Sequence, residues 1–123
     1  MVKLGRISKI IEDKTDGLIK SGDICISNYH IGHIYDKHSK ELSQLGMDTL
    51  GYVKYIASNF IEIRKGSGIS FLLVSPHNSK DLRNVAAISI EYNDEGEYWE
   101  VSTAQPRSVD ALGKKKLIWP IKK

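Results

Sequence analysis

Between Asn28 and Leu45 the apolar residues Ile31, Ile34, Tyr35, Leu42 and Leu45 recur at spacings of three and four, with His38 in the same row. That period predicts an α-helix with one buried face. Ser27 or Asn28 can cap its start, and Gly46 can end it in a left-handed cap. His30, His33 and Lys37 line an adjoining edge. A helix with titratable nitrogens beside its buried face is expected to wall an active site, with the rest of the chain as its platform.

Before this helix, Leu4, Ile7 and Ile11 keep helical spacing and predict a first helix to about Lys14, then a break at Asp16-Gly17. The run from Asp23 to Ser27 is a short strand or a lead-in. After Gly46, Asp48 is a natural N-cap, and Leu50, Val53, Ala57 and Phe60 predict a further helix closed near Asn59.

From Phe60 the texture turns to strands. FIEIRK, Gly66-Ser67-Gly68 and ISFLLVS read as a hairpin, its second run apolar enough for a central strand. Pro76 to Arg83 is a polar loop. Val85–Tyr92 and Tyr98–Ala104 are two more strands around a tight turn at Asn93-Asp94-Glu95-Gly96, and Gln105-Pro106-Arg107 is expected to stop the second. Ser108 to Leu112 forms a helical turn ended by Gly113. Lys116 to Trp119 makes a short edge strand ending at Pro120. Helices first and a meander afterwards predict an α+β domain, with N-terminal helices on one face of a four- or five-stranded antiparallel sheet.

At 123 residues and 41% hydrophobic, the chain is expected to be one folded domain over 1–123. Its net charge of +3 is a mild basic bias, concentrated in Lys114, Lys115, Lys116, Lys122 and Lys123. That suits a polyanionic partner, and equally a solvated tail and edge. The single cysteine, Cys25, forms no intramolecular disulfide and reads as a structural thiol. No apolar run approaches the roughly 20 residues that span a bilayer, and the first residues lack a signal-peptide core. If the domain acts outside its producer, a larger protein carries it.

Metal chemistry is not expected. His30, His33, His38 and Asp36 lack the i, i+4 ligand pairs and paired cysteines that zinc sites favour. No Gly-x-Ser-x-Gly elbow is present, and Gly66-x-Gly68 lies in a hairpin rather than between strand and helix. Acid–base chemistry on a phosphodiester remains. RNA carries its own nucleophile, the 2′-hydroxyl, so cleavage needs a base, an acid, and cations or hydroxyls around the phosphate. Histidine suits proton transfer near neutral pH. The chain offers His33, Lys37 and His38 on the helix, Arg64 and Lys65 on the first hairpin strand, Ser102 and Thr103 on a late strand, and Arg107 after it. Strict alternation puts Trp99, Val101 and Thr103 on one face. If that face meets the helix, Thr103 comes within reach of His38. Each residue also has a plain structural role open to it: His38 at the core edge bonded to a backbone carbonyl, Lys37 solvated, Ser102 and Thr103 as ordinary strand residues.

The Lys37-His38 pair preceded by His33, then a helix, then a meander ending in Trp99-Glu-Val-Ser-Thr103 with Pro106 and Arg107, resembles the barnase, EndoU, colicin E5, colicin D and RelE-like (BECR) ribonuclease superfamily. The nearest likeness is to colicin D and to polymorphic toxins of the contact-dependent inhibition type, over roughly Asp23 to Trp119. The resemblance implies a metal-independent, cofactor-free endoribonuclease toxin that cuts tRNA and leaves 2′,3′-cyclic phosphate and 5′-hydroxyl ends. His38 would be the acid–base histidine, Lys37 the cation at the phosphate, and Thr103 or Ser102 its hydroxyl contact. The colicin D pattern has a lysine near the place of His33, so which histidine is the base stays open. RNA backbone contacts are expected from Arg64, Lys65, Arg107 and Lys114 to Lys116.

The resemblance also implies a domain at the C-terminal tip of a larger secreted effector, acting in the target-cell cytoplasm. It implies a cognate immunity protein and allows a host accessory factor. The alternatives are a RelE-like mRNA interferase acting on ribosomes and a non-catalytic RNA- or protein-binding module.

Overall fold

The computed structural model describes residues 1–120; Lys122 and Lys123 lie outside the described residues. In chain order the elements are β1 (Val2–Ile7), α1 (Lys9–Lys14), β2 (Gly22–Ile26), α2 (Asn28–Gln44), α3 (Thr49–Asn59), β3 (Glu62–Lys65), β4 (Phe71–Ser75), β5 (Leu82–Asn93), β6 (Gly96–Ser108), α4 (Val109–Gly113) and β7 (Leu117–Trp119). The class is α+β, as expected. The sheet has seven strands rather than four or five, in the order β1-β2-β6-β5-β4-β3-β7. β2 and β6 run parallel, and the other neighbours run antiparallel.

The extra strands come from the N-terminus. Leu4 and Ile7 belong to β1, not to a helix. Lys3 pairs with Cys25 and Gly5 with Ile24, so Leu4 is the extra residue of a β-bulge. The bulge shifts the alternation by one, and Leu4 and Ile7, three apart, both reach the core. A spacing that reads as helical is here a kinked strand. Helix begins only at Lys9, where the Ser8 side chain accepts the Ile11 amide.

α2 and α3 cover one face of the sheet. Their starts are capped as expected: Ser27 accepts the His30 amide and Asp48 the Gly51 amide. Gly46 takes φ +73°, the left-handed conformation that ends α2. Ile34 and Leu42 of α2 and Tyr52, Val53, Ile56 and Ala57 of α3 pack on Ile24, Ile26, Ile63, Leu73, Ala86, Ile88, Trp99, Val101 and Ala104. The opposite face carries a smaller cluster, Leu72, Val74 and Val85, closed by Leu112 of α4.

β6 does not stop at Gln105. It continues through Pro106, opposite Asn84, to Ser108. β2 pairs with it only at Ile24–Trp99 and Cys25–Glu100. Beyond Glu100 the β2 side of β6 has no strand partner, and a proline there breaks no ladder hydrogen bond on that side. Among the described residues no helix is long and apolar enough to cross a membrane.

Candidate functional site

α2 takes the place beside β6 that β2 vacates. Its first turn meets Glu100, since His30 Nδ1 lies 2.6 Å from Glu100 Oε2. Beyond its last turn, Leu45 and Met47 share a pocket with Asn84, which stands opposite Pro106. Fourteen residues of helix rise about 21 Å, and the six strand steps from Glu100 to Pro106 cover about 20 Å. α2 is thus long enough to reach from Glu100 of β6 to the neighbourhood of Asn84 of β5.

Glu100 sits between the core residues Trp99 and Val101 and opposite Ser89, so it points to the face away from α2 and α3. His30 reaches that face around the end of β2. His33 and Lys37 follow His30 at spacings of three and four, on the same flank of α2. His33 is half-buried and Lys37 is exposed.

On the strand side, Ile88 pairs with Val101 and Ala87 with Thr103, which leaves Ser102 as a bulge. Ala104, not Thr103, continues the core row of Trp99 and Val101. The expectation that Thr103 shares their face fails because the bulge breaks the alternation. Thr103 stands opposite Ala87, which packs on the Leu72, Val74, Val85 and Leu112 side. By alternation Glu100, Thr103, Gln105 and Arg107 line one face of β6, and His30 meets that face at Glu100. The Ser102 hydroxyl donates to the Ala87 carbonyl at 3.4 Å.

His38 lies on the inner side of α2. Its side chain is 14% exposed, and Nδ1 is 3.2 Å from Glu41 Oε1 rather than on a backbone carbonyl. Among the described residues no hydrogen bond joins His33, Lys37 or His38 to Ser102, Thr103 or Arg107.

The other expected RNA contacts lie elsewhere. β3 is three strands from β6, about 14 Å at the usual spacing. Arg64 is an internal strut: Nε meets Glu62 at 3.1 Å, and Nη1 donates to the carbonyls of Lys115 at 2.9 Å and Leu112 at 3.3 Å. That use leaves little of the guanidinium for a phosphate. The Lys65 ammonium donates to carbonyls of its own hairpin at Gly66, Gly68 and Ser70 and lies over the Phe71 ring. Lys114 and Lys116 are exposed after α4, and Lys115 is half-buried.

Cys25, beside Glu100 in the register, is half-buried, and burial pushes its thiol up, away from the thiolate a nucleophile needs. Desolvation, with help from the Glu100 and Glu91 carboxylates, raises the Tyr98 phenol on the same face. Among the described residues no three His, Cys, Asp or Glu side chains gather as a metal site would need.

Pattern reading placed His30 on the helix edge but gave it no part in the acid–base chemistry. Its partner lies seventy residues away on a strand joined to β2 by parallel pairing, a contact that no local period announces. The signal present in the chain is the Ser27 cap, which places His30 in the first helical turn. No family model matches the chain, and comparison with curated proteins and with solved structures yields no match.

Proposed function

We propose that the chain is a metal-independent endoribonuclease toxin domain, with tRNA as substrate and the α2–β6 surface around His30 and Glu100 as its site. One observation supports this reading: His30 of α2 meets Glu100 on the strand face that also presents Thr103 and Arg107, and His33 and Lys37 share its flank of the helix. Imidazoles beside cations and hydroxyls are the groups that 2′-hydroxyl attack on a phosphodiester requires.

In this reading Lys37 and Arg107 hold the phosphate charge, and Thr103 and Ser102 supply hydroxyls. His33 or His38 is the imidazole from which the leaving 5′-oxygen takes its proton. Arg64 plays no part, because its guanidinium already serves Glu62 and two carbonyls. Exposed Lys114 and Lys116 extend the basic surface toward a long RNA. The domain would be delivered by a larger effector and silenced by an immunity protein covering that surface.

The test is incubation of the domain with total bacterial RNA in EDTA, beside Lys37→Ala and Thr103→Ala. The expected result is discrete tRNA fragments with 2′,3′-cyclic phosphate ends, reduced in both variants. Binding to RNA should fall steeply with salt as phosphate contacts release counterions. Intact naked RNA together with cut mRNA on translating ribosomes would replace the tRNase by a RelE-like activity. Intact RNA in both assays would sink the enzymatic reading.

A further inference from the structure

We infer that His30 is the general base of this site, held in its reactive tautomer by Glu100; the inference rests on the ribonuclease reading above. The geometry sets the tautomer. Nδ1 of His30 faces two oxygens, Glu100 Oε2 at 2.6 Å and Ser27 Oγ at 3.1 Å. A carboxylate has no hydrogen to share, so its closeness favours the tautomer with the hydrogen on Nδ1, whose hydrogen-bond partner is Ser27 Oγ. In the neutral ring the lone pair then sits on Nε2, which has no hydrogen-bond partner among the described residues.

The imidazole is fixed rather than waving in solvent. The side chains of His30 and Glu100 are 24% and 15% exposed. Ser27 also accepts the His30 backbone amide, so the helix cap and the ring share one anchor. The Tyr29 ring meets the imidazole edge-on, with centroids 5.2 Å apart. A carboxylate that orients an imidazole through Nδ1 and stabilises the imidazolium formed at Nε2 is a general device of proton transfer. By contrast His38, the histidine that the sequence pattern favours, turns its Nδ1 to Glu41, a carboxylate one turn along its own helix with a side chain 51% exposed.

The step balances as follows. The 2′-hydroxyl gives its proton to Nε2 of His30 as the 2′-oxygen bonds to phosphorus. The bond from phosphorus to the 5′-oxygen breaks, and that oxygen takes a proton from a protonated histidine, His33 or His38. The products are a 2′,3′-cyclic phosphate and a 5′-hydroxyl. Glu100 touches no reacting atom and is a positioning residue.

The experiment measures single-turnover cleavage of tRNA in EDTA from pH 5 to 9 for the wild type, His30→Ala, Glu100→Gln and Glu100→Asp. RNA affinity and thermal unfolding are recorded alongside. Around the imidazole stand Glu100 on β6, Tyr98 and Cys25 beyond it, and Tyr29, His33 and Lys37 on its own helix, so the profile is read as a difference between variants. General-base removal typically lowers rates by about 10²–10⁴-fold. His30→Ala is expected to lose roughly that much in rate with affinity held within about threefold. Glu100→Gln is expected to lower the cleavage rate with affinity held, and Glu100→Asp to recover most of it. A purely structural role would lower affinity or thermal stability in step with the rate.

Nitrogen chemical shifts of the wild-type His30 ring supply a readout free of any folding defect, and a neutral ring protonated at Nε2 would overturn the assignment. Cleavage by the wild type with His30→Ala within threefold would overturn the base while leaving the ribonuclease intact. A wild type that cuts neither naked RNA nor mRNA on ribosomes would overturn both.

Discussion

Val101 and Ala104 lie together in the helix-covered core although they stand three positions apart on one strand, because Ser102 bulges between them. The bulge turns Thr103 out of the core and lines it up with Glu100 and Arg107. Bulges bend a strand and re-aim its side chains, often beside functional sites. Here the irregularity is what puts Thr103 on the face of Glu100 and Arg107.

Neighbouring substitutions should therefore part company. Ala104 is buried at 1% exposure, so Ala104→Val overpacks the core and is expected to cost about 1–3 kcal/mol. Thr103 is only half-buried on the other face, and Thr103→Ala is expected to cost under about 1 kcal/mol. Urea unfolding of the two variants checks this. Equal losses would mean that Thr103 is core and that the alternation runs unbroken.

Much of the fold was legible because its signals are local. The cap at Ser27, the period through Leu42, the left-handed Gly46 and the Asp48 cap fix α2 and α3 within a residue or two. The hairpin turns and the edge position of β7 were legible for the same reason. The bulges in β1 and β6 were not. At Leu4–Ile7 a bulged strand imitates a helical spacing, and at Val101–Ala104 another defeats strict alternation. The parallel β2–β6 pairing joins segments some seventy residues apart, and with it the His30–Glu100 contact was out of view. Lys37, His33, Thr103 and Arg107 were picked by residue type. Arg64 was picked likewise, although it serves the fold.

Gly5 marks where α3 crosses β1. A Cβ built on it would stand 3.0 Å from the carbonyl oxygen of Ala57, a backbone atom with little room to retreat. Gly5→Ala gains roughly 0.4–1 kcal/mol through a stiffer unfolded chain. Overpacking costs about 1–3 kcal/mol, so net destabilisation is expected. A thermal midpoint at or above the wild type's would show that α3 moves away freely.

Tyr52, with no exposed surface, donates its hydroxyl to Asn84 Oδ1 at 2.8 Å, and Asn84 Nδ2 donates to the Pro76 carbonyl at 2.8 Å. Tyr52→Phe strands a buried acceptor and is expected to cost about 1–3 kcal/mol. Burial pushes the Tyr52 phenol above its ordinary value of 10.0. A raised pKa in the folded state means stability is whole below pH 10 and falls as pH rises beyond it. Unfolding followed from pH 9 to 11 should show the wild type losing stability faster than Tyr52→Phe. Parallel curves would show that this phenol does not titrate differently on folding.

Glu12 ties α1 to the start of β2. Its Oε1 accepts the Ser21 amide at 2.7 Å and the Ser21 hydroxyl at 3.0 Å, while Lys9 bonds the other oxygen. Lys9 first, then Ser21, hold the carboxyl down at about 2, against an ordinary value of 4.5. The folded chain thus binds fewer protons here than the unfolded chain between those values. The stabilisation is whole above pH 4.5 and drains away as pH falls toward 2. Glu12→Gln removes the charge and with it the titration. The variant is expected to be less stable than the wild type at pH 7, and the gap should close as denaturation is repeated from pH 5 down to pH 2. A gap of constant size across that range would mean that the carboxylate acts by shape and hydrogen-bond count alone, and that its charge contributes nothing to holding α1 on β2.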